Sequence, residues 1–345
     1  MPYTLAMRFR FGSLSGVLFL LTSLASAQST DASAQEQQPY TLQAGTNVVL
    51  VPATVQAKNG EVIYGLKADQ FVVEDNGAAQ TVHLDENSDV QGLTLMVLVQ
   101  CSRSAVAQYG NIRGLGTMVE ALVGGAPRQV AVATYGKEQS LLGDFSGDTD
   151  DAGAALSHLQ PCDDKEAATF DAVAWASALL DARKDGNRHV ILLVSEIRDH
   201  GSRKQPAEVI AALGRTNTVL NAAAFSPGKG EILGGLRFGG GPGPLGLMMM
   251  AVNAAKKNAP KTLASLSGGE YISFNNRNAF DSGLQQLSNR IHNYYLLSFT
   301  PKIAANGAPS EGMHSLRVRV PEYPDARINA RESYFAGALD TADSQ

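Results

Sequence analysis

The chain has 345 residues, 44% of them hydrophobic and 18% charged, a balance that excludes disorder for the bulk and supports one large or two modest cores. With 28 basic and 33 acidic residues the formal net charge is −5. The basic residues are scattered rather than gathered into a stripe, which argues against nucleic acid as a partner.

Arg8 and Arg10 precede an apolar run around Gly16-Val17-Leu18-Phe19-Leu20-Leu21, which ends in Ala25-Ser26-Ala27. A positive start, a short apolar middle and small residues two apart predict a secretory signal peptide over 1–27, cleaved before Gln28. The run is short for a membrane span. The mature chain is therefore expected in the periplasm or outside the cell, with no membrane span. Residues 28–44 are small and polar and read as a flexible spacer.

An N-terminal β unit is expected over 45–88. Asn47 to Gln56 and Phe71 to Glu74 are rich in β-branched residues, and Lys58-Asn59-Gly60 and Asp75-Asn76-Gly77 are turn signals. From about Leu93 short apolar runs alternate with helical patterns, which predicts a mostly parallel α/β sheet over 91–292 with helices on both faces. The strands are Leu93 to Val99, Gln129 to Tyr135, His189 to Val194, Thr218 to Phe225 and Tyr271 to Phe274. Helices are expected at about 105–123, 151–159, 169–182, 206–214, 247–267 and 278–291. Phe170, Val173, Ala174 and Ala178 recur at helical steps and mark one buried face.

Residues 293–336 return to β structure, and in Ser315 to Val320 apolar and polar residues alternate strictly. The two flanking segments read either as halves of one β-sandwich or as two small β units. A tail follows over 337–345.

Several tempting motifs carry no chemistry. Gly241-Pro242-Gly243-Pro244-Leu245-Gly246 matches a phosphate-loop spacing, but it follows no strand and its prolines remove backbone donors. Gly228 to Gly246 reads as a loop and Met248-Met249-Met250 as the core face of the next helix. Asp148, Asp150 and Asp151 are ordinary acidic residues at a helix start. The six histidines show no ligand spacing, and no nucleophile stands with a base.

The strand Val97-Leu98-Val99 runs into Gln100-Cys101-Ser102-Arg103-Ser104 and then a helical pattern. This resembles the Asp-x-Ser-x-Ser motif of von Willebrand factor type A domains, with Gln100 in the Asp position. Ala168-Thr169-Phe170-Asp171-Ala172 resembles the second loop of that family, with Thr169 as its hydroxyl. A register matching Phe170-Asp171-Ala172 to the usual Tyr-Asp-Ala would instead put Ala167 in the Thr position. Val194-Ser195-Glu196-Ile197 resembles the third loop, with Glu196 in the Asp position. Tyr64-Gly65-Leu66, Glu74-Asp75-Asn76-Gly77, Tyr295 to Pro301 and Ala330 to Tyr334 resemble the flanks of an exported bacterial, notably acidobacterial, group of such proteins.

The resemblance implies a doubly wound sheet with a ligand site at the C-terminal edge of its strands. The rim would be Gln100, Ser102, Ser104, Thr169 and Glu196, with Mg²⁺ as the family's cofactor. Magnesium wants oxygen ligands and negative charge; Gln100 removes a charge and Glu196 displaces one. A site without metal is the leading expectation, with Ser102 or Ser104 merely capping a helix. The alternative keeps a divalent ion on Ser102, Ser104, Thr169 and Glu196. Cys101 and Cys162, the only cysteines, both fall near this rim. Export would let a disulfide persist between them, and two free thiols are the other reading. The function expected is binding or scaffolding of a protein or another envelope component. A metal-dependent adhesion module and an enzyme with an unrecognised site are the alternatives.

Overall fold

The computed structural model describes residues 48–85, 92–125, 127–225, 243–301 and 312–336. The expected signal peptide, spacer and tail lie outside them. No helix among the described residues is long and apolar enough to cross a membrane.

The central element is β5 (Leu93–Gln100), whose residues are all buried. It pairs in parallel with β6 (Arg128–Tyr135) on one side and β8 (Arg188–Glu196) on the other. β9 (Val219–Phe225) and β10 (Tyr271–Phe274) extend the parallel sheet beyond β8, and β7 (Gln139–Ser146) closes the far edge antiparallel to β6. The order is β10-β9-β8-β5-β6-β7. Successive side chains of a strand point to opposite faces, so β5 feeds two cores at once. Met96 and Leu98 pack with α3 (Thr169–Arg183), α4 (Pro206–Arg215), α5 (Gly243–Lys257) and α6 (Ala259–Ser267). Leu95, Val97 and Val99 pack with α1 (Leu115–Val123), α2 (Thr149–Ser157) and α7 (Arg277–His292). The result is a doubly wound α/β sheet covered on both faces.

The flanking segments meet. β1 (Val49–Gln56) lies between β11 (Tyr295–Phe299) and β13 (Arg327–Ala330), and β11 also pairs with β4 (His83–Leu84). A second sheet pairs β12 (Gly312–Arg319) with β14 (Ser333–Ala336) and with β2 (Val72–Asp75), which pairs in turn with β3 (Ala78–Gln80). Val51, Leu297 and Phe299 of the first sheet share one core with Val73, Leu316 and Tyr334 of the second. The flanks thus form a small β-sandwich from both ends of the chain.

Four local expectations are corrected. The helix expected over 105–123 is a 3-10 turn at Arg103–Gln108 followed by α1, because Gly110 and Gly114 interrupt it and Gly114 caps α1. The helix expected over 247–267 is two, because Asn258 leaves helical geometry and caps Lys261 N, with Pro260 in the first turn of α6. Gly243 to Gly246, taken as the end of a loop, already belongs to α5; the rest of that loop lies almost wholly outside the described residues. Met248 packs against the core, but Met249 and Met250 are 54% and 45% exposed, since three consecutive residues cannot share one helix face.

Candidate functional site: the rim of the sheet

The chain reverses its winding direction at β5, which neighbours both β6 and β8. Ligand crevices of open α/β sheets form at such a switch point, outside the carboxyl ends of the strands. Gln100 ends β5 and Glu196 ends β8, and the parallel register sets Val99 beside Val194. The two side chains therefore stand next to each other over the switch point. The loop after β5 carries Ser102 and Ser104, and the sequence folds it back sharply enough that all four residues converge.

Gln100 is 1% exposed and saturates its surroundings. Its Nε2 donates to Ser102 Oγ at 2.8 Å, Ser104 Oγ at 2.9 Å and Glu196 Oε1 at 3.0 Å. Its Oε1 accepts the Glu196 backbone N–H at 2.8 Å. A backbone N–H requires an acceptor, so this last bond fixes which end of the amide faces the three oxygens. Ser104 also donates to Glu196 Oε1 at 3.0 Å and lies 3.2 Å from Ser102 Oγ. His200 Nε2 stands 3.8 Å from Glu196 Oε2.

Ser102 and Ser104 do not cap a helix. Ser102 occupies the cap position of the 3-10 turn but makes no side-chain cap bond, because both hydroxyls are drawn to the Gln100 amide. Thr169 is fully buried but is not part of this cluster: its Oγ1 lies 3.2 Å from Tyr135 Oη and 3.4 Å from Ala167 O. Burial pushes the Tyr135 phenol far up, with hydrogen bonds to Thr169 and Ser195 offsetting part of that. Tyr135 is thus a neutral strut between the second and third loops.

Cys101 and Cys162 are joined by a disulfide, with Cα atoms 5.1 Å apart. The bridge is reinforced by Cys162 N–H donating to Cys101 O at 2.8 Å and Arg103 N–H to Asp164 O at 2.9 Å. Four residues near the rim, Asp164, Asp171, Asp199 and Ser202, were not among the expected site residues. Asp199 and Ser202 accept the Phe170 N–H at the start of α3, and Asp171 accepts the N–H groups of Arg203 and Lys204. Asp164 accepts Lys137 N–H at 2.8 Å. A carboxylate at a helix start was the available signal for Asp199, but its helix lies far upstream in sequence.

The donor set does not fit a divalent cation. Magnesium requires oxygen lone pairs at about 2.0–2.1 Å, whereas the centre of this cluster is an N–H₂ group whose hydrogens already meet the serine and glutamate oxygens. The one amide oxygen of Gln100 is turned away, onto backbone. Ser102, Ser104 and Glu196 are brought together, but around an amide; Thr169 stands apart with Tyr135.

The α/β body is a doubly wound, mostly parallel sheet covered by helices on both faces, with the x-Ser-x-Ser loop at its switch point. No protein-family model matches the sequence, and no curated protein matches it. Among solved structures, the chain is similar to the conserved hypothetical protein BatB of Bacteroides thetaiotaomicron, at 14% identity and TM-score 0.40 over 58% of this chain and 97% of that one. It is similar to the SpRpn10 VWA domain at 14% identity and TM-score 0.39, over 58% and 95%. It is also similar to proximal thread matrix protein 1 of the mussel byssus, solved with a zinc-occupied MIDAS motif, at 12% identity and TM-score 0.44, over 63% and 49%.

Proposed function

We propose that this chain is an exported protein-binding module whose rim engages its partner without a metal ion and without catalysis. The observation that carries the reading is the Gln100 amide, whose N–H₂ group ties Ser102, Ser104 and Glu196 together. A metal in such a site would neutralise the carboxylate and order the loops; here hydrogen bonds to the amide and the Cys101–Cys162 bridge supply that order. Ser104 does donate to the Glu196 carboxylate, but the same oxygen also accepts from the Gln100 amide, which favours a structural over a catalytic use of the pair. The disulfide and the Arg8 to Ala27 pattern both favour an oxidising compartment outside the cytoplasm. The partner is expected to be a protein or another envelope component.

Calorimetric titration of the oxidised chain with Mg²⁺ and Mn²⁺ tests the metal-free part. No saturation should be seen below about 1 mM, the weak end of extracellular divalent sites. Capture of a partner from envelope extract should be unchanged by chelator and lost on replacing Ser104 and Glu196 by bulky residues. Saturable metal binding, or capture abolished by chelator, would overturn the reading.

A further inference from the structure

At the opposite edge of the sheet, beneath the N-terminal ends of β8 and β9, lies a cleft of about 210 Å³. One wall is the α/β body, with Arg188, Val190, Val219 and the end of α7 at Arg290 and Ile291. The other is the sandwich, with Leu50, Pro52, Leu296 and Asn329. Pockets for drug-sized ligands span roughly 300–1,000 Å³, so this one suits a smaller molecule with an apolar body.

The charges around it are unbalanced. Arg290 is paired with Glu270, whose carboxylate also accepts from Asn329, and these cancel. Arg331 is 3% exposed and is held entirely by neutral acceptors. They are Ser333 O at 2.9 Å, Leu50 O at 3.0 Å, Asn217 Oδ1 at 3.0 Å and Gly214 O at 3.1 Å. Arg188 is half-buried, and among the described residues no carboxylate lies within ion-pair reach of it. Its guanidinium stacks 4.5 Å above the Tyr294 ring and makes one long contact, 3.5 Å, to Ile291 O. Its Nε–H is buried and meets no acceptor. Among the described residues, therefore, two arginines without a carboxylate partner face or underlie a cleft whose lining acid, Glu270, is already paired with Arg290. A planar guanidinium braced on an aromatic ring is the geometry that takes a carboxylate.

We propose that this cleft binds a small monocarboxylate with an apolar body, its carboxylate on Arg188 and its body against Leu50, Ile291 and Leu296. The site is separate from the rim and does not depend on it. Benzoate is a suitable probe, with benzyl alcohol and benzylammonium as controls of the same size. Calorimetry at fixed ionic strength should give saturable benzoate binding in the millimolar range and none for benzylammonium. Methyl NMR shifts should fall on Leu50, Ile291 and Leu296 and spare the rim. Arg188→Met should weaken benzoate by about tenfold or more, the loss of a charge-assisted contact, and Arg188→Lys by less; Gln100→Asp should leave it unchanged. Circular dichroism confirms that each variant is folded. Absence of saturation, equal binding of benzyl alcohol, or full affinity in folded Arg188→Met would each overturn the proposal.

Discussion

Gln100 and its neighbours show how one side chain decides what a rim can hold. Gln100→Asp replaces the central N–H₂ by a carboxylate, frees Ser102 and Ser104 as oxygen donors and should create saturable Mg²⁺ binding by calorimetry where the native chain has none. Glu196→Gln keeps an oxygen for the Gln100 amide and for Ser104, so stability by denaturant titration should change by no more than about 0.5 kcal/mol. Glu196→Ala leaves the buried amide short of an acceptor and should cost about 1–3 kcal/mol. A different carboxyl governs the pH response. Burial is the main reason the Glu332 carboxyl is pushed up to about 7, with Ser265 offsetting part of it, and Glu332 Oε2 meets no partner among the described residues. The folded chain therefore holds this proton at pH values where the unfolded chain has released it. Its contribution is fully present below the ordinary Glu range and is lost as pH rises through about 7. The melting temperature should fall between about pH 5 and about pH 8, and Glu332→Gln should flatten that fall.

At the scale of elements, the turn from α6 into β10 is set by close approach. A Cβ added at Gly269 would lie 2.0 Å from Leu220 O, on the strand next to β10, so the backbones touch where only glycine fits. Gly269→Ala should cost about 1–3 kcal/mol in chemical denaturation without altering the rim. Buried parallel strands were legible because they must be apolar on both faces, as β5, β8 and β9 are. β7 was not, because an antiparallel edge strand with Leu141 and Leu142 exposed carries no such run. The breaks at Gly114 and Asn258 were written in the sequence as Gly and Asn-x-Pro signals, but the apolar pattern ran across them. At the rim, the positions of Gln100, Ser102, Ser104 and Glu196 were expected from the resemblance of the loops after β5 and β8 to von Willebrand factor type A motifs. That the amide nitrogen would gather three oxygens was not, since it depends on Glu196 N–H orienting the amide from another strand. Thr169 pointed elsewhere because Tyr135, a residue with no loop signature, fills the space beneath it.

Across the whole molecule, the disulfide closes a loop of sequence separation 61 that contains α1, β6, β7 and α2. Replacing both cysteines by alanine should cost about 2–4 kcal/mol through the freed unfolded chain, measured against the native chain with and without reductant. Reductant should lower the native protein to the level of the variant and leave the variant unmoved. A variant insensitive to the loss would mean that the rim loops are held by hydrogen bonds alone.

The interleaving of β1 with β11 and β13 sets the order in which the chain can complete itself. β1 is made early, yet Val51 faces Leu297 and Ala53 faces Ala330, partners synthesised only after the entire α/β body. Until then β1 has two open edges and an apolar face, a template for wrong pairing. The body can form by local β–α steps, whereas the sandwich must wait for β11 to β14 and close over long sequence distances, which is intrinsically slow. Refolding followed by hydrogen exchange should accordingly protect β5 and β8 before β1. A chain stopped after Phe299 should carry a folded body with an unfinished sandwich and aggregate through β1, whose edge toward β13 would stay open.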